Sequence, residues 1–242
     1  MKLAKTNYLN TPAKTEVQIL QHQNHLGHFW HILNGRFDLK TFDDKFSELS
    51  YYLMNYLCLV VANKLYRIIE LEIYYHEKGK HPDPYVHCAK EQLSTGNWYF
   101  NGAGLDITIG DNEKEIHGSV LIRGIMKIGI NPYYISGPSN VLKEIFSTIG
   151  NVLTGDNGIC LRVLNQEIVK SIEAEPLQSV RIGLTKKKDD IENYADKNYR
   201  YIVELNVQHK FKDKEKVIRQ FMSQSKITYG EAKEIMGYNI NP

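Results

Sequence analysis

Several features that would fix a simple function class are scarce in this chain. Three cysteines in 242 residues, Cys58, Cys88 and Cys160, are too few and too scattered for a disulfide framework or a paired Cys-x-x-Cys metal clip, so reduced thiols are expected. The longest apolar run, at 57–62, falls far short of the ~20 residues a membrane-spanning helix needs. Residues 1–15 are too polar for the apolar stretch of a secretory signal, and a cytoplasmic location, close to the nucleoid in a prokaryote, is the expectation. A net charge of +2 lacks the cationic excess of a protein that grips nucleic acid everywhere, because such affinity comes mainly from Lys and Arg neutralising phosphates. Any nucleic-acid surface therefore has to be local. Internal repeats and low-complexity tracts are also missing.

What is present suits a folded enzyme or binding domain: 42% hydrophobic and 24% charged residues over this length are enough to bury a full core. The pattern predicts one domain with terminal extensions, the first of them at 1–46. In the first extension His22, His25, His28 and His31 recur every third residue of a predicted helix at 16–33. Neighbouring pairs there could share a metal, but no carboxylate or Cys joins them at ligand spacing. A polar helix face is the expected role, and neither metal nor cofactor is expected.

Leu49, Leu53, Tyr56 and Leu57 fall at helical spacing and predict a buried helix over 47–59. Two strands follow, at 59–61 and 66–75, with Asn63 and Lys64 at the turn. In the second strand Ile69, Leu71, Ile73 and Tyr75 share one face while Glu70, Glu72, Tyr74 and His76 share the other. Two carboxylates two residues apart, with an aromatic ring beyond them, make the second face the place to look for chemistry. A loop at 76–93 holds His81-Pro82-Asp83-Pro84-Tyr85-Val86-His87, and its prolines present His87 from a constrained backbone. Trp98-Tyr99-Phe100, Asn101-Gly102 and then 105–109 read as a hairpin with an Asn-Gly turn. In the next strand, 119–125, Arg123 shares a side with Leu121 and Ile125, which calls for an anionic partner. A helix over 137–149 capped by Ser136 or Ser139, strands at 158–165 and 199–207, and helices near 213–223 and 228–236 complete the expected elements.

The segments Arg67-Ile68-Ile69-Glu70-Leu71-Glu72-Ile73-Tyr74, Asp83-Pro84-Tyr85-Val86-His87, Val120-Leu121-Ile122-Arg123, Ser136-Gly137-Pro138-Ser139, Val180-Arg181-Ile182-Gly183-Leu184 and Tyr199-Arg200-Tyr201 occur in the order found in the alkyladenine (3-methyladenine) DNA glycosylase family. The resemblance spans roughly 47–210, which makes that stretch the glycosylase-like domain between helical extensions at 1–46 and 211–242. It implies a compact α+β domain with a curved, mainly antiparallel sheet, a hairpin entering the minor groove, and base flipping of a damaged nucleotide into a pocket. It implies base-excision repair of damaged DNA, duplex or single-stranded, by a monomer without cofactor. Glu72 is similar to the general base that activates the attacking water, and Arg123 to an arginine beside that water. Tyr74, His87 and Trp98 look like walls of the base pocket. Arg67–Tyr74 and 120–123 hold no lysine, so a Schiff-base step lacks a nucleophile and a monofunctional hydrolase is implied.

The match departs from the family at three places. Asn101 stands where the family has a wedge tyrosine, Thr108 where it has an Asn that rejects guanine, and the Arg- and Gly-rich stretch after the pocket histidine is missing. These departures favour the alternative of a descendant that binds a modified base, a nucleotide or another protein without cleaving it. A metalloenzyme built on the four histidines is a third possibility.

Overall fold

A computed structural model describes residues 41–102, 104–150, 153 and 158–240; the predicted helix at 16–33 with His22, His25, His28 and His31 lies outside the described residues. The described chain opens with α1 (Phe42–Asn55), where the Thr41 hydroxyl accepts the Asp44 amide at 3.1 Å and Asp43 and Asp44 face the positive end of the helix dipole. Phe46, Leu49, Leu53 and Met54 form its buried stripe. This helix begins and ends earlier than the spacing predicts. The reason is the apolar run that follows: Leu57–Val61 is buried on both faces and becomes strand β1 instead of a last helical turn.

Strand β2 (Lys64–Glu77) pairs with β1 through a two-residue turn at Ala62 and Asn63, both at positive φ as a tight hairpin of this hand requires. The later strands are β3 (His81–Pro82), β4 (Thr95–Phe100), β5 (Leu105–Ile109), β6 (His117–Lys127), β7 (Tyr134–Ser136), β8 (Ile159–Val163), β9 (Leu177–Ser179) and β10 (Arg200–Ile202). Helices α2 (Pro138–Thr148) and α3 (Gln166–Ile172) flank β8, and α4 (Lys214–Ser223) and α5 (Tyr229–Met236) follow β10. The pairings are antiparallel, in the order β4-β5-β6-β2-β1-β8, with β3 and β10 also on β2, β7 on β6 and β9 on β10. Strand β2 is the spine: β6 runs along one edge, while β1, β10 and β3 share the other.

The sheet is curved into a half-barrel. The indole Nε1 of Trp98 on β4 donates to the Ile159 carbonyl on β8 at 3.1 Å, although five strand spacings of ~4.8 Å would separate these edges in a flat sheet. Inside the curve, Ile69, Leu71, Ile73, Ile107 and Val120 join the α1 stripe and Val141 and Ile145 of α2 in one core. The segment beyond 210 is bound to this body. Phe211, Val217, Ile218, Phe221 and Ile235 pack with Leu177 of β9 and Ile202 of β10 in a second apolar cluster.

Local chemistry differs from expectation at three points. Asn101 and Gly102 do not by themselves make the turn between β4 and β5, since Phe100 pairs with Leu105, the Asn101 amide donates to the Gly104 carbonyl, and of the two only Gly102 is at positive φ. Neither Ser136 nor Ser139 caps α2; Gly137, at φ 93, occupies the cap without a side-chain bond and Pro138 takes the first turn. The strand expected over 199–207 is confined to Arg200–Ile202. At α5 the Thr228 and Glu231 side chains form a reciprocal capping box.

Candidate functional site

Glu70, Glu72 and Tyr74 of β2 define the site, beyond an irregularity at Ile69 that separates them from the core residues Tyr66 and Ile68. Because paired residues on neighbouring strands point to one side, the register Tyr99, Asp106, Leu121, Glu72, Arg200 and Ser179 aligns six side chains in a row across β4, β5, β6, β2, β10 and β9. The row beside it holds Thr108, Ser119 and Tyr74. This face is not solvated: Glu70, Glu72, Asp106, Thr108, Ser119 and Arg200 are all buried. The segment after β9 supplies part of the cover, with the Ile182 amide 2.6 Å from Glu72 Oε1.

Burial of so many charges demands pairing, and the pairing takes the form of a ladder. Arg200 donates to Glu70 at 2.8 Å, Arg123 to Glu70 at 3.0 Å and to Glu72 at 3.3 Å, and the Tyr74 hydroxyl to Glu72 at 2.9 Å. The Arg181 guanidinium lies 4.6 Å from the Tyr74 ring centre and donates to Asp83 at 2.7 Å. Three guanidiniums thus alternate with three carboxylates, so each charge within the ladder meets its opposite. Arg123 has the expected anionic partner, and in fact two, but it does not share a side with both apolar neighbours: the register breaks between Ile122 and Gly124, so Leu121 pairs with Glu72 on this face while Ile125 pairs with Ile68 in the core.

Desolvation pushes Glu72 above the usual carboxylate range, with Arg123, the Ile182 amide and Tyr74 offsetting part of the rise. Burial and the adjacent Glu72 carboxylate together hold the Tyr74 hydroxyl firmly protonated, so that it meets Glu72 as a donor. Desolvation disfavours the charge on Arg123, but Glu72 and Glu70 outweigh it and its pKa rises. The arrangement is a carboxylate of raised basicity, fixed in orientation by three donors.

The site residues expected from sequence do not all converge. Glu72, Arg123 and Tyr74 are in direct contact. Thr108 lies on the same face, two strands from Tyr74, with its Oγ1 accepting the Asn97 amide at 3.0 Å. Asn101, at the hairpin tip, turns its amide onto Asp106 Oδ1 at 2.9 Å. His87 is exposed on its loop, and Trp98 belongs to the opposite face of the sheet, in register with Ile107 and Val120. A cavity of about 540 Å³, lined in part by Tyr75, Glu77, Ile109 and Asp111, likewise shares no residue with the ladder.

Arg181, Arg200, Asp83 and the Ile182 amide were missed as site residues. Arg181 and Arg200 sit inside matched sequence segments, yet only the pairing of β10 with β2 brings Arg200 beside Glu70. Asp106 shows one sequence signal, its position opposite Leu105, Ile107 and Ile109 in the strand.

Asp106 differs from the ladder acids. Its Oδ2 accepts from Ser119 at 2.7 Å, itself held by Gln92 at 3.0 Å, and burial pushes the carboxyl from 3.8 to about 7, with the Ser119 bond opposing and Glu72 adding to the rise. In this state the folded protein binds a proton that the unfolded chain releases between about pH 4 and 7. Stability from this group is therefore present at acid pH and lost as pH rises through 7, roughly 2 to 3 kcal/mol between pH 5 and 8. Denaturant titrations of wild type and Asp106→Asn at the two pH values measure it: the wild type should lose more stability than the variant on going to pH 8, and parallel changes would place the carboxyl in water.

Among the described residues no helix is long and apolar enough to cross a membrane, and no three His, Cys, Asp or Glu side chains gather as a metal site. The fold and this face define an α+β half-barrel protein with a buried carboxylate and arginine ladder on one side of its sheet. No protein-family model matches the chain. It is similar to an uncharacterized protein of Acanthamoeba polyphaga mimivirus, 28% identical over 192 residues that cover 66% of this chain and 87% of the viral protein.

Proposed function

We propose that this protein is a monofunctional DNA glycosylase that hydrolyses the N-glycosidic bond of a flipped alkylated purine such as 3-methyladenine, with Glu72 as the base that activates water. The observation that carries this reading is the Glu72 carboxylate: buried, raised in basicity, and held by Arg123, Tyr74 and the Ile182 amide. It stands at the position the sequence resemblance gives to the general base. Breaking the glycosidic bond develops positive charge on the sugar, and a carboxylate beside it both stabilises that charge and takes the proton of the attacking water. Arg123 keeps the carboxylate aimed, and because Arg181 lies over the Tyr74 ring at 4.6 Å, a flipped base would stack on the other face of that ring. Glu72 has no exposed surface, so access of water and sugar requires the cover around Ile182 to shift. Damaged DNA is the partner in this reading, engaged by a monomer in the cytoplasm or at the nucleoid.

The complete burial of Glu72 also favours a second reading, a module that binds a modified base while the ladder serves the fold. One experiment separates the two. The full chain is incubated in excess with methylated DNA, and free 3-methyladenine and new abasic sites are measured. Release of the base with formation of abasic sites is the expected result; binding without release would leave the second reading.

A further inference from the structure

Glu70, Glu72 and Asp83 each have an arginine within ion-pair distance. Asp106 is just as buried, at 1% exposure, but its described partners are neutral, the Asn101 amide and the Ser119 hydroxyl with Gln92 behind it. The titratable groups that face it are Tyr99 of β4, its partner in register, and Glu72 of β2, across Leu121. Neither supplies positive charge. In a fold that otherwise gives its buried carboxylates guanidiniums on this face, one acid is left without a counter-charge among the described residues.

The position of that acid suits a ligand. Asp106, Leu121 and Glu72 are in register on three adjacent strands, so the two acids stand about 9 to 10 Å apart along the sheet, with the nearly buried Leu121 side chain as the floor between them. A purine nucleoside laid over Leu121 with its sugar at Glu72 directs the far edge of its base toward Asp106. The cover over this end is the hairpin tip. Asn101 closes onto Asp106 Oδ1, and the tip lies so tightly on the floor that a Cβ at Gly104 would come within 2.4 Å of Leu121 Cδ1. Displacement of the tip uncovers the carboxyl and the floor together.

We propose that Asp106 reads the charge of the bound base: its carboxylate is the counter-ion for a cationic, ring-alkylated purine and discriminates against neutral bases at the same place. This assignment rests on the glycosylase reading for the identity of the ligand, but it concerns binding and not bond cleavage. A buried carboxylate without a cation is unfavourable, and an arriving cation relieves that cost where a neutral base does not. Asn101 then acts as the neutral stand-in that satisfies Asp106 until the base arrives.

The test compares the affinity of the full chain for two duplexes that differ at one nucleotide, 7-methylguanine as the cationic base and hypoxanthine as the neutral one, at fixed salt, with base release followed in parallel. Wild type is expected to prefer the cationic lesion by about tenfold or more, and Asp106→Asn to reduce the preference to within about threefold. Asn101→Ala leaves the carboxyl in place and uncovers it, so it is expected to strengthen binding of the cationic lesion more than of the neutral one. Equal affinities in wild type, or an unchanged preference in Asp106→Asn, would overturn the inference even if both bases are released. Should Asp106→Asn not fold, an equal effect of Asn101→Ala on both lesions would overturn it instead. A charge preference lost in Asp106→Asn but accompanied by no base release in wild type would sustain Asp106 as the charge reader and overturn the glycosylase reading.

Discussion

Replacing Glu72 by Gln is expected to slow single-turnover base release by about 10²- to 10⁴-fold, the range over which general-base catalysis contributes, while affinity for the damaged duplex stays within a few fold. The amide has the shape of the carboxylate and its oxygen can still accept from either the Ile182 amide or the Tyr74 hydroxyl, but it cannot take a proton from water. Arg123 retains Glu70 as a partner at 3.0 Å, so the ladder survives the change. Measurement requires enzyme in excess over a substrate with one lesion, with release and binding followed separately. Equal rates for the variant and wild type would remove Glu72 from the mechanism.

Arg123→Ala is expected to lower folding stability by about 3 to 5 kcal/mol, the usual consequence of deleting one partner of a buried ion pair. Glu70 keeps Arg200, but Glu72 loses its nearest guanidinium and retains only the Tyr74 hydroxyl and the Ile182 amide as direct donors. The carboxyl of Glu72, already raised by desolvation, should rise further when the opposing positive charge is removed. If Glu72 is the base, the acid limb of the rate profile moves to higher pH in any residual activity. Urea or guanidinium titration gives the stability change, and a midpoint equal to wild type would show that Arg123 is solvated and the ladder is not formed in solution.

The parts of this fold visible in the sequence are those whose signal is local. The hairpin of β4 and β5, the apolar run that becomes β6, the proline-initiated α2 and the short helix at 228–236 each need only neighbouring residues to define them. Elements of two or three residues, such as β3, β7 and β9, carry too little pattern to reveal a period, and they exist because longer strands offer them an edge. The division of β2 into two faces was also legible, since a strand alternates whatever surrounds it.

By itself, then, the sequence determined the strand that carries Glu70, Glu72 and Tyr74 and the need of Arg123 for an acid. Only the tertiary structure decided which acids it meets, that Arg200 and Arg181 join them from more than a hundred residues away, that Asp106 stands in the row of Glu72 without a cation, and that Trp98 turns to the far side of the sheet to meet β8. The reason is the range of the forces involved. Alternation and capping are settled within a few residues, whereas pairing of charges depends on which strands become neighbours, and that follows from burying the apolar face of a curved sheet as a whole.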